Sequence, residues 1–139
     1  MNRLREIKWG LAAGLAVITG LLGDLAMPVL VLVLLNGLDY GTGLLAAPFR
    51  HQRVSSYQGL RGIAKKVSMW LLVGMGAVVD WLLNYTGVPS PLEHLVSCAV
   101  AIWLIVNELI SILENIGDTG VPVPAFLEKI IALVKEKNL

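Results

Sequence analysis

The sequence predicts an all-α membrane protein with about four transmembrane helices, the first one short, and a C-terminal amphipathic helix at the interface. Three observations carry this prediction. Of 139 residues, 56% are hydrophobic and only 15% are charged, against about 25% charged in soluble domains. Mean hydropathy is +0.74. The apolar residues fall into four runs, and lysine and arginine are confined to alternate segments between them.

The four runs are drawn at about 8–23, 28–47, 66–85 and 95–113, within one integral-membrane domain covering 1–139. A crossing helix needs about 20 residues, with a range of about 17–25. The last three runs meet this, while the first reaches the range only by including Ile7, Lys8 and Gly23. Its basic start and apolar middle also fit a secretory signal, but Gly23-Asp24 leads straight into the next run without a small-residue cleavage pattern. A short true span is the preferred reading, joined to the second as a tight hairpin at Gly23-Asp24, with Pro28 opening the second helix.

Orientation follows from the cations. Arg3, Arg5 and Lys8 precede the first run. Arg50, Arg53, Arg61, Lys65 and Lys66 fill the segment between the second and third, and Lys129, Lys135 and Lys137 lie in the tail. The segments 23–27 and 86–94 carry neither lysine nor arginine. The positive-inside rule then places both termini and the long middle loop in the cytoplasm, which an even number of crossings satisfies. Gly120-Val121-Pro122-Val123-Pro124 ends the fourth helix. Beyond it a helix is expected over about 125–137, with Phe126, Leu127, Ile130, Ile131, Leu133 and Val134 on one face. That stripe suits either a membrane surface or a partner helix.

Polar groups inside the spans are where function is expected. Charged groups at membrane depth cost roughly 2.5–3.5 kcal/mol each on insertion scales and face protein or water by default. In the second run Asn36, Asp39 and Gly43 share a face, with Thr42 beside them. Asp80 lies near the far end of the third run, either snorkelling outward, capping a wet loop or facing inward. Lys65 and Lys66 open that run, as topology determinants or as counter-ions for Asp39 or Glu108.

The fourth run ends in Asn107-Glu108-Leu109-Ile110-Ser111-Ile112-Leu113-Glu114-Asn115. With Asn107 at 0° and 100° per residue, Glu108 falls at about 100°, Ser111 at about 40°, Glu114 at about −20° and Asn115 at about 80°. The five polar residues thus form one stripe about 120° wide, with Leu109, Ile112 and Leu113 opposite. Gly10 with Gly14, and Gly37 with Gly41, form Gly-xxx-Gly pairs that suit close helix approach.

No enzyme chemistry, metal site or cofactor is expected. There is no phosphate loop, zinc-protease motif or nucleophile elbow. His51 and His94 lie on opposite sides of the membrane in this topology. Cys98, the sole cysteine, sits in an apolar run and reads as a small buried side chain. The basic loop has no more cations than topology requires, so no nucleic-acid partner is inferred.

The motifs together resemble a family. Leu38-Asp39-Tyr40-Gly41-Thr42-Gly43 followed by Ala46-Ala47 is similar to the Asp-x-x-Thr-Gly…Ala signature of the phage lysis holins and toxin-secretion holins of Gram-positive bacteria. Ser55-Ser56, Gly59 and Gly62-Ile63-Ala64-Lys65-Lys66 resemble its loop, with Arg61 where the family often has lysine. Asp80 matches its third-span aspartate, and the Asn107–Asn115 run with Gly120–Pro124 resembles its ending. The likeness covers about residues 30–130 and is weakest in the first span.

The resemblance implies a homo-oligomer in the bacterial cytoplasmic membrane that permeabilises it at a set time. It would thereby release or activate an endolysin, or export a toxin, without needing to bind either. Asp39, Lys65, Lys66 and Glu108 are then expected to form an internal charge network in the closed state. Asp39, Thr42, Gly43, Lys65, Lys66, Asp80, Asn107, Glu108, Ser111, Glu114 and Asn115 are the candidate oligomerisation or pore-lining set. Two other classes stay open: a small ion or proton channel or transporter subunit, and a non-permeabilising antiholin or scaffold.

Overall fold

The computed structural model describes residues 2–51, 53 and 55–137, and the side chains of 131, 134, 135 and 137 lie outside the description. Among the described residues five α-helices follow one another: α1 (Asn2–Leu22), α2 (Ala26–Ala46), α3 (Ser56–Tyr85), α4 (Leu95–Asp118) and α5 (Ala125–Lys137). A single 3-10 turn at Gly23–Leu25 joins α1 to α2. No strand occurs among the described residues.

Three helical stretches are long and apolar enough to cross a membrane: Asn2–Ala46, Ser56–Tyr85 and Leu95–Asp118. The first is 45 residues long, about 68 Å of helix at 1.5 Å per residue. That is more than twice a hydrocarbon core of about 30 Å. Gly23 adopts a positive φ of 51°, a conformation glycine tolerates best, and its turn divides the stretch into two helices of 21 residues each.

The boundaries correct the expected ones in a consistent direction. α1 starts at Asn2, so the helix extends through the charged residues that precede the short apolar run. α3 starts ten residues before the expected 66, at Ser56, and α4 runs on past 113 to Asp118. Hydropathy marks where a helix is apolar; backbone chemistry decides where it ends. Arg3, Arg5, Glu6 and Lys8 are adequate helix formers. Ser55, in extended backbone, accepts the Gln58 N–H through its hydroxyl at 3.2 Å and caps α3. α4 stops only at Gly120, with φ of 86°.

α4 is the central helix. Both α2 and α3 pack on it and make little contact with each other. Its buried residues are Ser97, Cys98, Ala101, Leu104, Glu108, Ile112 and Asn115, mostly three or four apart, which lines them along one helix face. Leu25 and Leu32, Met69 and Val73, and Cys98, Ala101 and Leu104 form the apolar core. The joint expected at Gly23-Asp24 is present, but a packed hairpin is not, because α1 contributes no buried residue.

Two contacts seat α3 against the start of α4. Asp80 is buried, and its carboxylate accepts the backbone N–H groups of Val96 at 2.7 Å and Ser97 at 2.8 Å. The Ser97 hydroxyl donates to it as well, at 2.6 Å. A carboxylate from one helix thus caps the N-terminus of another, where free N–H groups and the helix dipole both favour negative charge. Of the readings open for Asp80, the inward-facing cap is the one found. One turn away, a Cβ on Gly76 would lie 2.8 Å from the Ser97 Cα.

Gly76 is therefore the close-approach glycine. Gly10, Gly14, Gly37 and Gly41 are not: a Cβ on any of them would meet nothing within 4 Å. Their spacing matched the pattern, but the helix surfaces that pack in this chain are elsewhere. Gly76→Ala should destabilise the protein by about 1–3 kcal/mol through overpacking. Gly74→Ala, which enters open space, should be neutral or slightly stabilising. Reversible unfolding in detergent checks this, and equal effects from the two substitutions would refute it.

Candidate functional site

The polar residues of α2, α3 and α4 meet at one place. Lys66, on α3, reaches between the other two helices. Its Nζ lies 2.9 Å from Asp39 Oδ2, 2.7 Å from Glu108 Oε2 and 3.3 Å from Asn36 Oδ1. The Glu108 side chain is 1% exposed, that of Asp39 15% and that of Lys66 20%. Lys66 can donate three hydrogen bonds and here makes three.

A second tier continues toward the end of α2. Asn115 Nδ2 donates to Thr42 Oγ1 at 3.0 Å and to the Asp39 carbonyl and Oδ1 at 3.3 Å each. Gly43 lies beside it, and a Cβ there would make only an ordinary contact, 3.6 Å from Asn115 Nδ2. Asn115 Oδ1 in turn accepts from Arg50 Nη2 at 2.6 Å, and Arg50 pairs with Asp118. The polar chain therefore runs from Glu108 through Lys66, Asp39, Asn115 and Arg50 to Asp118.

Geometry explains why the polar stripe divides. The buried residues of α4 centre near 100° on the scale that puts Asn107 at 0°, whereas the stripe centres near 40°. Glu108 and Asn115 consequently enter the interface, and Ile112 joins them there instead of lying opposite. Glu114, at the other edge, is exposed, and Asn107 is half-buried. Asn107, Ser111 and Glu114 line a shallow groove with Lys65, Ser68 and Trp103. The expected stripe is thus shared between a helix interface, which takes Glu108 and Asn115, and a groove, which takes the other three.

The lysine pair also divides. Lys66 is the bridging cation; Lys65 is exposed and lines the grooves on both sides of it. Successive helical residues differ by about 100°, so only one can enter a given interface. Asp80, 14 positions further along α3, belongs to the separate cap described above. In α5, Phe126 and Ile130 are exposed and Leu127 is half-buried, while the side chains of Ile131 and Val134 lie outside the described residues.

Sequence reasoning gave Asn36 no role, although its place on the Asp39 face was visible. It also counted Arg50 only as a topology charge and did not use Asp118 or Ser97. Arg50 and Asp118 carry no local signal, because each is an ordinary interfacial charge until the fold joins positions 68 residues apart.

One ammonium therefore holds two carboxylates, within a structure whose three longest helical stretches are of membrane-crossing character. The sequence model of the bacteriophage holin family matches residues 16–136. The chain belongs to the bacteriophage holin family. It is 37% identical over 129 residues to an uncharacterised protein of Halalkalibacterium halodurans, covering 93% of each chain. It is 32% identical over 137 residues to an uncharacterised 14.9 kDa protein of Clostridium perfringens, covering 99% of this chain and 98% of that one. A protein described as a probable holin, from Bacillus phage phi105, is 27% identical over 108 residues, covering 78% of this chain and 74% of its own. No solved structure matches the chain. Family membership and the apolar helices together make this holin-family chain a membrane protein.

The unequal charge count within the triad predicts an order of effects. Lys66→Met leaves buried Glu108 facing half-buried Asp39 with no cation between them and should destabilise by about 3 kcal/mol. Glu108→Gln leaves Lys66 paired with Asp39 and should cost about 1.5 kcal/mol or less. Denaturant titration in detergent, followed by circular dichroism, ranks the two; the reverse order would refute the bridging role of Lys66.

Proposed function

We propose that this chain acts as a holin. It accumulates in the bacterial cytoplasmic membrane as a closed helical unit, oligomerises, and then permeabilises the membrane. The opening releases or activates an endolysin, or lets a toxin out. The reaction is not enzymatic: the work is done by assembly in lipid. The observation that carries the proposal is the part-buried Lys66–Asp39–Glu108 triad inside a chain of the holin family.

The topology proposed has four crossings, α1 to α4, with both termini and the 47–55 link in the cytoplasm. The cations near α1, the link, the start of α3 and α5 support it. The triad then lies in the cytoplasmic half of the bilayer. While closed, it presents almost no charge to lipid. Exchanging the pairings of Lys66 between neighbouring copies would turn the polar sides of α2 and α4 outward and build a wet wall. Exposed α1, with Gly10 and Gly14, and the Gly37–Gly41 side of α2 are open surfaces on which copies can meet. α5 lies along the membrane surface on Phe126, Leu127 and Ile130, with Ile131 and Val134 on the same side by periodicity.

The geometry favours this reading over a cation transporter. The carboxylates that would hold a transported ion already hold the Lys66 ammonium at 2.9 and 2.7 Å.

Induction in bacteria with and without a co-expressed endolysin tests the proposal. Membrane potential should hold, then collapse abruptly, and lysis should require the endolysin. Steady ion flux without killing would instead indicate a channel, and silence a scaffold. Asp39→Asn and Glu108→Gln should each shift the time of collapse and the oligomer distribution; unchanged timing in both would remove the triad from the mechanism.

A further inference from the structure

A groove borders the triad and extends beyond it. About 600 Å³ in volume, it lies between the end of α2 and the start of α3. Its lining is divided in character. Tyr40, Leu44 and Ala47 of the α2 end form an apolar strip, three or four residues apart and so on one face. Tyr40 and Leu44 are exposed. Arg50, Arg61, Lys65 and Lys66 supply four cations against one acid, Asp39.

Two of those cations are committed, Lys66 to the triad and Arg50 to Asp118. Arg61 and Lys65 are exposed, and Arg61 takes part in no ion pair among the described residues. On the α3 side, Gly59 and Gly62 line the groove, and a Cβ on either would meet nothing within 4 Å. The groove floor is thus bare where the cations converge. It is open at the level where the apolar part of α2 gives way to the basic link.

We propose that this groove binds the phosphodiester headgroup of an anionic phospholipid, with Arg61 and Lys65 on the phosphate and an acyl chain along Tyr40 and Leu44. The inference rests on the membrane placement above, not on the opening of the membrane. Arginine and lysine both suit phosphate oxygens, arginine by its planar fork. Basic pockets between membrane helices at the cytoplasmic boundary are suited to such headgroups. A free phosphate would have no use for the apolar strip, and a zwitterionic lipid would bring its own cation into a basic groove. Both faces of the groove are therefore explained by one ligand. A bound lipid would also bridge α2 and α3, which make little direct contact.

The full chain, purified in mild detergent, is incubated with equal amounts of phosphatidylglycerol and phosphatidylcholine of matched chains. Retained lipid is then counted by native mass spectrometry. Phosphatidylglycerol should be retained preferentially. The double substitution Arg61→Gln and Lys65→Gln should reduce that retention by about tenfold or more. Gly62→Leu, which fills the groove without removing charge, should reduce it too. The charge-matched control Arg3→Gln and Arg5→Gln on exposed α1 should leave it unchanged.

Equal loss in the control would show only diffuse surface attraction and overturn the site. Retention unaffected by Gly62→Leu would reduce the groove to an anion patch, and displacement by inorganic phosphate would make the ligand a free anion. Equal retention of the two lipids would remove headgroup recognition. The readout needs no membrane opening, so failure of the lysis experiment leaves this result standing, and the converse also holds.

Discussion

The rest of the structure turns on Lys66, whose ammonium ties α3 to both α2 and α4 just beyond the apolar core that the three helices share. α2 and α3 both pack on the buried face of α4 and make little direct contact with each other. Lys66 crosses that gap and satisfies Asp39, Glu108 and Asn36 together. In lipid, each of these groups alone would be strongly unfavourable, and the pairing makes them tolerable. A pair of this kind adds little net stability relative to a well-packed apolar substitute. Its value lies elsewhere, in the helix faces that it brings together.

The two polar centres serve different ends. Asp80 caps the start of α4 with three hydrogen bonds and supports a backbone approach at Gly76 too tight for any side chain. Both carboxylate oxygens of Asp80 are satisfied there, although the neighbouring His94 Nδ1 is buried without a partner among the described residues. The Lys66 centre is different. It carries two carboxylates on one ammonium, leaves Asn36 Nδ2 buried without a partner among the described residues, and opens onto grooves lined by Lys65. One end of the helical unit is locked, while the other is held by exchangeable charges.

How much was legible beforehand differs by level. The all-helical membrane class followed from composition, and the helix break at Gly120–Pro124 followed from residue types. Asp39, Lys66 and Glu108 were identifiable because charges inside apolar runs need an explanation. The helix ends were not legible from hydropathy, since charged turns such as 56–65 continue a helix as well as apolar ones. Nor was the identity of the close-approach glycine. Four glycines in matching pairs face open space, while Gly76, in no such pair, carries the contact.

The sequence by itself determined the solvent this protein folds in, the number of apolar runs and the polar residues that lipid would not tolerate. Those are properties of local composition and helical period, and both are written along the chain. Tertiary structure alone decided the rotation of α4, which turned Glu108 and Asn115 inward and Glu114 outward. It also decided between Lys65 and Lys66, and joined Arg50 to Asp118. Each of these depends on how one helix is turned against another, a quantity that no single helix contains. A difference of about 60° in that rotation separates a polar stripe facing a groove from an ammonium sealed between two carboxylates.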